Sequence, residues 1–211
     1  MKNLFVFIRK IIPEKSCCFV FIILLLCLSS STVAKEEDSE KLKKDYFLSQ
    51  SLKLGKKPVQ SAVFSPNDQQ AVILSGSSSL EIFRIQNGKR LRVISSHEHD
   101  AISLVLHAGG KIAITGGKDD TVRIWNTDQT TVQEVLRGHL SAVSVLALST
   151  GGELLASGSL DGTVILWNMK EKELLRSIKV IGKGSVNSLA FHPKGKLLAV
   201  GGGDGSLQFL S

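Results

Sequence analysis

A chain of 211 residues with 43 % hydrophobic and 21 % charged side chains has room for one large domain or two small ones. That balance excludes a disordered chain and a polytopic membrane protein. The net charge is +7, and all three cysteines, Cys17, Cys18 and Cys27, lie close to the N-terminus.

Lys2, Arg9, Lys10 and Lys15 make a basic start, and Cys17–Leu28 is then an unbroken apolar run of 12 residues. Ser29–Ser31, Thr32, Val33 and Ala34 follow. A basic start, a short apolar stretch and small residues before a cleavage point describe a secretory signal peptide. A membrane-spanning helix needs about 20 apolar residues. Residues 1–34 are therefore expected to be a signal helix removed after Ala34, with retention as a membrane anchor as the alternative. Leu26 is too large for a lipoprotein cleavage box before Cys27. Cleavage removes four basic residues, the acid Glu14 and every cysteine, and lowers the net charge from +7 to +4. The exported domain, periplasmic or extracellular, then has no disulfide, thiolate nucleophile or cysteine metal site. So small a charge gives no nucleic-acid signal. Residues 35–45, charged and without apolar period, read as a flexible spacer.

From residue 46 to 211 the chain is a tandem repeat. Ile112–Asn126, Leu154–Asn168 and Leu197–Leu210 align, and Ala71–Phe83 is a weaker fourth copy. Phe83, Trp125 and Trp167 recur at intervals of 42, and Asp119, Asp161 and Asp204 form a second column. Within the third unit, Val143–Leu148, Leu154–Ser157, Thr163–Trp167 and Leu174–Lys179 read as strands. They are β-branched, alternating and broken by Gly or Ser. A period of this length with four short strands predicts the blade of a β-propeller.

The residues resemble the WD40 repeat family. Gly138–His139 matches its glycine-histidine signature, and Trp125–Asn126 and Trp167–Asn168 stand where Trp-Asp usually stands. Phe64–Ser65–Pro66 and Phe191–His192–Pro193 match its turn between the first two strands. The resemblance implies an all-β fold, a β-propeller of four-stranded antiparallel blades from about four WD40 repeats, preceded by the signal helix. It also implies a rigid platform for other macromolecules.

His139, Ser157, Asp161 and Trp167 share one unit, and His97, Thr115, Asp119 and Trp125 repeat the set 42 residues earlier. A Ser, His and Asp set invites a nucleophile reading. The set occurs twice at the repeat spacing, Thr replaces Ser in one copy, and Trp has no part in a triad. The resemblance implies two buried tetrads: indole N–H to hydroxyl, hydroxyl to imidazole, imidazole N–H to carboxylate. Each group is costly to bury alone, and together they satisfy one another. The outer units carry Ile73, Ser77 and Phe83, or Val200 and Leu210, in these columns. Apolar cores are expected there, with Asp204 serving a turn.

No catalytic residue, cofactor or metal ligand is expected. His97-Glu98-His99-Asp100 has zinc-ligand residue types, but His97 belongs to a tetrad. His107 and His192 fall in a turn column and are expected to be solvated. Gly201-Gly202-Gly203-Asp204-Gly205 fits neither phosphate nor calcium spacing. The reading that remains is an exported scaffold for a protein partner. Its candidate contacts are His99, Asp100, Lys118, Asp120, Leu140, Ser141, Leu160 and Lys183, on loops that the resemblance places on one face. The alternatives are a propeller hydrolase or oxidoreductase and a membrane-tethered subunit. Tyr46–Leu54 sits where a fourth strand for the last unit would come from, so a ring closed within one chain is expected, with a two-chain, eight-bladed ring as the rival and an incomplete gene product as the remaining alternative.

Overall fold

The computed structural model describes Ser51 and residues 58–211 apart from 77, 96, 130, 183 and 196. The expected signal helix and spacer lie outside the described residues. So do Lys183, Ser77 and, apart from Ser51, the expected closing strand Tyr46–Leu54.

The repeat folds into four antiparallel sheets, each ordered as the chain runs. Sheet one is β1 (Val59–Phe64), β2 (Gln70–Ser75), β3 (Ser79–Arg84) and β4 (Arg90–Ser95). Sheet two is β5 (Ala101–Leu106), β6 (Ile112–Gly117), β7 (Thr121–Asn126) and β8 (Thr131–Arg137). Sheet three is β9 (Val143–Leu148), β10 (Leu154–Ser159), β11 (Thr163–Asn168) and β12 (Glu173–Lys179). Among the described residues sheet four has three strands, β13 (Val186–Phe191), β14 (Leu198–Gly202) and β15 (Leu207–Leu210). The second strand of the third unit runs two residues past the expected Ser157, because Gly158 and Ser159 stay paired with β9.

Each sheet packs its inner strands on the next, β1 on β5, β5 on β9 and β9 on β13. Three apolar clusters fill these junctions. Val72, Leu74, Leu80 and Ile82 of sheet one meet Ala101, Leu104, Ala113 and Trp125 of sheet two. Ile114, Val122 and Ile124 meet Val143, Leu146, Leu155 and Trp167. Ala156 and Val164 meet Val186, Leu198 and Val200, with Val180 and Ile181 from the connection. Alternation along a strand explains this, since successive side chains point to opposite faces and both faces of an inner sheet are covered. Each fully buried Leu, Ile or Val contributes about 1.5–3 kcal/mol.

The turns after the first strands tie neighbouring sheets together. Ser149 accepts from Gly152 N at 2.8 Å, and Gly152 has φ +74°. The His107 ring of the preceding turn lies over this glycine, where a Cβ would stand 2.3 Å from its Nε2. His107 is thus half buried rather than solvated, whereas His192 is exposed as expected. Thr150 Oγ1 donates to Pro193 O at 2.9 Å, joining sheets three and four in the same way.

Ile73 and Phe83, the apolar residues expected in the first unit's core, are both buried, and a charged side chain is buried with them. Glu81, 3 % exposed, sits in the face of sheet one that points away from sheet two. Its carboxylate accepts from Ser75 Oγ at 2.5 Å and from Arg90 NH1 at 3.1 Å. Those two donors make burial of the charge tolerable.

Candidate functional site

Two kinds of site emerge from the repeat: a buried relay inside sheets two and three, and a loop face above them.

In sheet two, Trp125 Nε1 donates to Thr115 Oγ1 at 2.8 Å. Thr115 Oγ1 lies 2.7 Å from His97 Nε2, and His97 Nδ1 lies 2.8 Å from Asp119 Oδ1. One proton assignment satisfies every group. The indole donates to the hydroxyl, the hydroxyl to Nε2, and Nδ1–H to the carboxylate. Asp119 also accepts from Thr121 Oγ1 at 2.8 Å and from Arg123 NH2 at 3.0 Å.

Sheet three repeats the first half. Trp167 Nε1 donates to Ser157 Oγ at 2.8 Å, and Ser157 Oγ lies 2.7 Å from His139 Nε2. The second half differs from the direct imidazole–carboxylate bond expected. His139 Nδ1 is 3.5 Å from Asp161 Oδ2 but 3.1 Å from Thr163 Oγ1, which donates to Asp161 Oδ1 at 2.5 Å. Thr163 therefore relays the imidazole to the carboxylate.

The cause is one residue on the second strand. In sheet two that position is Gly117, where a Cβ would stand 2.4 Å from His97 Nδ1 and 2.6 Å from Asp119 Oδ1. In sheet three it is Ser159, which has a Cβ, and whose hydroxyl donates to Ser141 O and accepts from Asp161 N. In sheet two the direct contact lies close around the position a Cβ would take.

Sequence reading missed Thr121, Thr163 and Arg123. The hydroxyls were visible in principle. Thr121, Thr163 and Ser206 each follow a column aspartate by two residues, the spacing of a side-chain-capped turn. Ser206 Oγ donates to Asp204 Oδ1 at 2.6 Å, so Asp204 serves the turn expected of it.

Burial pushes the imidazoles of His97 and His139 below their ordinary value of 6.5, and the attraction of Asp119 and Asp161 offsets this only in part. Burial works against both carboxylates, but hydrogen bonds outweigh it. Thr121 and His97 hold Asp119 below the ordinary 3.8, and Thr163 and the Leu140 amide do the same for Asp161. The signs agree. For all four groups the unfolded chain takes up protons at a higher pH than the folded chain, so stability falls as pH falls. It is full above the unfolded imidazole value of 6.5, erodes below it, and erodes again as pH drops through 3.8. Melting temperature read from pH 8 down to pH 3.5 should show both losses, and His97→Gln with His139→Gln should abolish the first. A flat profile between pH 7.5 and 5 would rule out neutral buried imidazoles.

Neither relay offers a nucleophile. Thr115 and Ser157 are fully buried and fully bonded. Both ring nitrogens of His97 are committed, which leaves the His97-Glu98-His99-Asp100 stretch without its first metal donor.

The loop face is built by one recurring hydrogen bond. In every sheet the residue that follows the second strand, or lies at its end, donates its N–H to the loop before the first strand. The pairs are Gly76 to Pro58, Lys118 to Asp100, Leu160 to Ala142 and Gly203 to Ser185, at 2.8–3.0 Å. This brings the described candidate contacts to the same end of their sheets. Lys118 Nζ meets Asp100 Oδ2 at 2.6 Å, so these two form a pair rather than two free charges. His99 is exposed, and Asp120 and Ser141 are half buried. Asp120 has φ 63° and adds its negative charge to the surroundings of His139. Leu140 is 87 % exposed and Leu160 50 %. Their backbones are fixed, because Leu140 N donates to Asp161 Oδ2 at 2.8 Å and Leu160 N to Ala142 O. The relay thus ends by holding the loop that displays Leu140.

The family described as WD domain, G-beta repeat matches residues 88–126, 130–168 and 173–209. Each matched segment starts one strand before a sheet and ends with its third strand, so each repeat straddles two sheets. Pre-mRNA-processing factor 19 of Mus musculus is 26 % identical over 80 residues, 37 % of this chain and 16 % of that protein. WD repeat-containing protein 3 of Mus musculus is 30 % identical over 77 residues, 35 % of this chain and 8 % of that protein. Among solved structures, U3-55K and the RRP9 WD40 repeats each align with a TM-score of 0.67 and 20 % identity over 76 % of this chain. The alignment covers 54 % and 53 % of those chains, so this chain spans about half of their length and less than a fifth of the curated relatives. At this identity the solved structures speak for the fold alone.

Proposed function

This chain belongs to the WD40 repeat family, and on that premise we propose that it works by binding a protein partner on its loop face, without chemistry of its own. One observation carries the reading. The repeat spends its His, Ser or Thr, and Asp side chains on buried relays, and one relay fixes the backbone of an 87 %-exposed leucine, Leu140. A rigid loop with an apolar side chain in water suits recognition, because little freedom is lost on binding. Leu140 and Leu160 supply the apolar contact, and Asp120 and His99 the polar surround.

Leu140→Asp with Leu160→Asp tests this. Both side chains lie in water, so stability should change by less than about 0.5 kcal/mol per site. Crosslinking and capture in the native compartment should lose the partner in the variant by at least about tenfold in affinity. A hydrolase or oxidoreductase activity in purified protein, or capture indifferent to both leucines, would reject the proposal. We place the partner outside the cytoplasm, on the pattern of residues 1–34. Exported protein should then have an intact mass that begins at Lys35, and a mature species containing Cys27 would contradict it.

A further inference from the structure

Asn87 and Gly88 lie in the turn between β3 and β4 of sheet one, and Asn87 is exposed. Lys89 N donates to Asn87 Oδ1 at 3.1 Å. That bond closes a ring around the Gly88 peptide and holds the carboxamide alongside its nitrogen. Gly88 has φ +64° and carries no side chain to crowd the approach of the two groups. Asn67 supplies a comparison within the chain. Its Oδ1 accepts from Gln69 N at 3.2 Å, and the residue between them, Asp68, has φ 54°. The two turns match, except that a side chain follows one asparagine and none follows the other. Asn126 and Asn168 accept from Asp128 N and Lys170 N in the same manner but precede Thr127 and Met169. Asn187 precedes Ser188 in β13. Among the described asparagines, only Asn87 precedes a glycine.

We propose that Asn87 is a site of spontaneous covalent modification, at which the side chain loses its amide nitrogen and becomes aspartate or isoaspartate. The Gly88 amide nitrogen gives its proton to hydroxide and attacks Asn87 Cγ. A carbon–nitrogen bond forms, the bond from Cγ to Nδ2 breaks, and Nδ2 leaves as ammonia with a proton from water. Water then opens the cyclic imide at either carbonyl, to aspartate or to isoaspartate. Overall a water is consumed and an ammonia is released. The Lys89 N–H points at the oxygen on which negative charge grows during the attack, where a fixed donor helps most. Asp161–Gly162 and Asp204–Gly205 share the turn geometry, since Thr163 N and Ser206 N donate to those carboxylates. Burial opposes ionisation of Asp161, but hydrogen bonds hold it, like Asp204, below the ordinary 3.8. A carboxylate kept ionised resists attack by a second anion. The products at Asn87 act on the strands that the turn joins. Arg84 N donates to Lys89 O at 2.9 Å, and Arg90, the next residue, donates to buried Glu81. Isoaspartate lengthens the backbone by a methylene just ahead of this pair, which takes Arg90 out of register with Glu81 and leaves a buried carboxylate short of a donor.

Peptide mapping by mass spectrometry, on the purified full chain aged in mildly alkaline buffer, tests the proposal. The peptide that holds Asn87 should show the mass change of an amide turned into an acid and should split into two species on chromatography. Ammonia should appear in step with it. The reaction should quicken with alkali, because the attacking nitrogen must lose its proton. Asn67, Asn126, Asn168 and Asn187 should keep their amides over the same time. Aged wild type should melt below fresh protein. Asn87→Gln, whose longer side chain closes the ring poorly, should melt alike before and after ageing. An Asn87 that keeps its amide in the folded chain but loses it in urea would overturn the proposal, because the turn would then protect the residue. So would an Asn67 that reacts as fast as Asn87, since the glycine would then have no role. An aged, fully modified chain that melts like fresh protein, or an Asn87→Gln variant that loses stability as the wild type does, would overturn the link to Glu81.

Discussion

Trp167→Ala is expected to destabilise the fold by about 3–5 kcal/mol, the size of a large aromatic removed from a packed core. The indole is 2 % exposed and fills the junction of sheets two and three beside Leu155, Val143 and Ile165. Its N–H also donates to the buried Ser157 hydroxyl at 2.8 Å, which then loses a donor. Trp167→Phe keeps most of the volume and should cost about 1–3 kcal/mol, mainly for the unmatched hydroxyl. Urea denaturation followed by circular dichroism gives both values, with the slope against denaturant unchanged if the transition stays two-state. A loss under about 1 kcal/mol for the alanine variant would mean that the sheets do not meet around this ring.

The second large effect separates the two relays. Asp119→Ala should cost about 2–4 kcal/mol, because it strands Arg123, Thr121 and His97 together. Asp161→Ala should cost about 1–3 kcal/mol, since Ile165 stands where sheet two has Arg123 and no cation is left behind. Double-mutant cycles sharpen the contrast. Coupling between His97 and Asp119, in contact at 2.8 Å, should reach about 1–2 kcal/mol, and coupling between His139 and Asp161, at 3.5 Å, should fall below that. Thr163 with Asp161 should couple more strongly than His139 with Asp161, because the 2.5 Å bond is theirs. Equal coupling in both sheets would refute the role given to Gly117 and Ser159.

The tetrads came from the family resemblance, whereas the repeat and the strand positions followed from the sequence. Their cause is local and periodic. A side chain every second residue faces one side of a sheet, and a column recurring at 42 must occupy the same place in each unit. The turn role of Asp204 was legible for the same reason, as a carboxylate followed two residues later by a hydroxyl. The resemblance to the WD40 family placed the loops that carry Leu140 and Leu160 on one face.

Other features depended on contacts between residues far apart in the chain. Glu81 reads as a surface charge until Ser75 and Arg90 are seen around it, since whether a charge can be buried depends on its donors. Lys118 and Asp100 read as separate contacts until folding sets them 2.6 Å apart. The difference between the relays lay in a missing Cβ at Gly117, whose effect appears only when His97 and Asp119 close around it. The exposure of Leu207 and Phe209 on sheet four was hidden most deeply. Both fit the apolar columns of the repeat, and pattern alone assigns them to a core. Whether a column is buried is decided by the sheet that packs over it, a property of the neighbour that no residue in the column encodes.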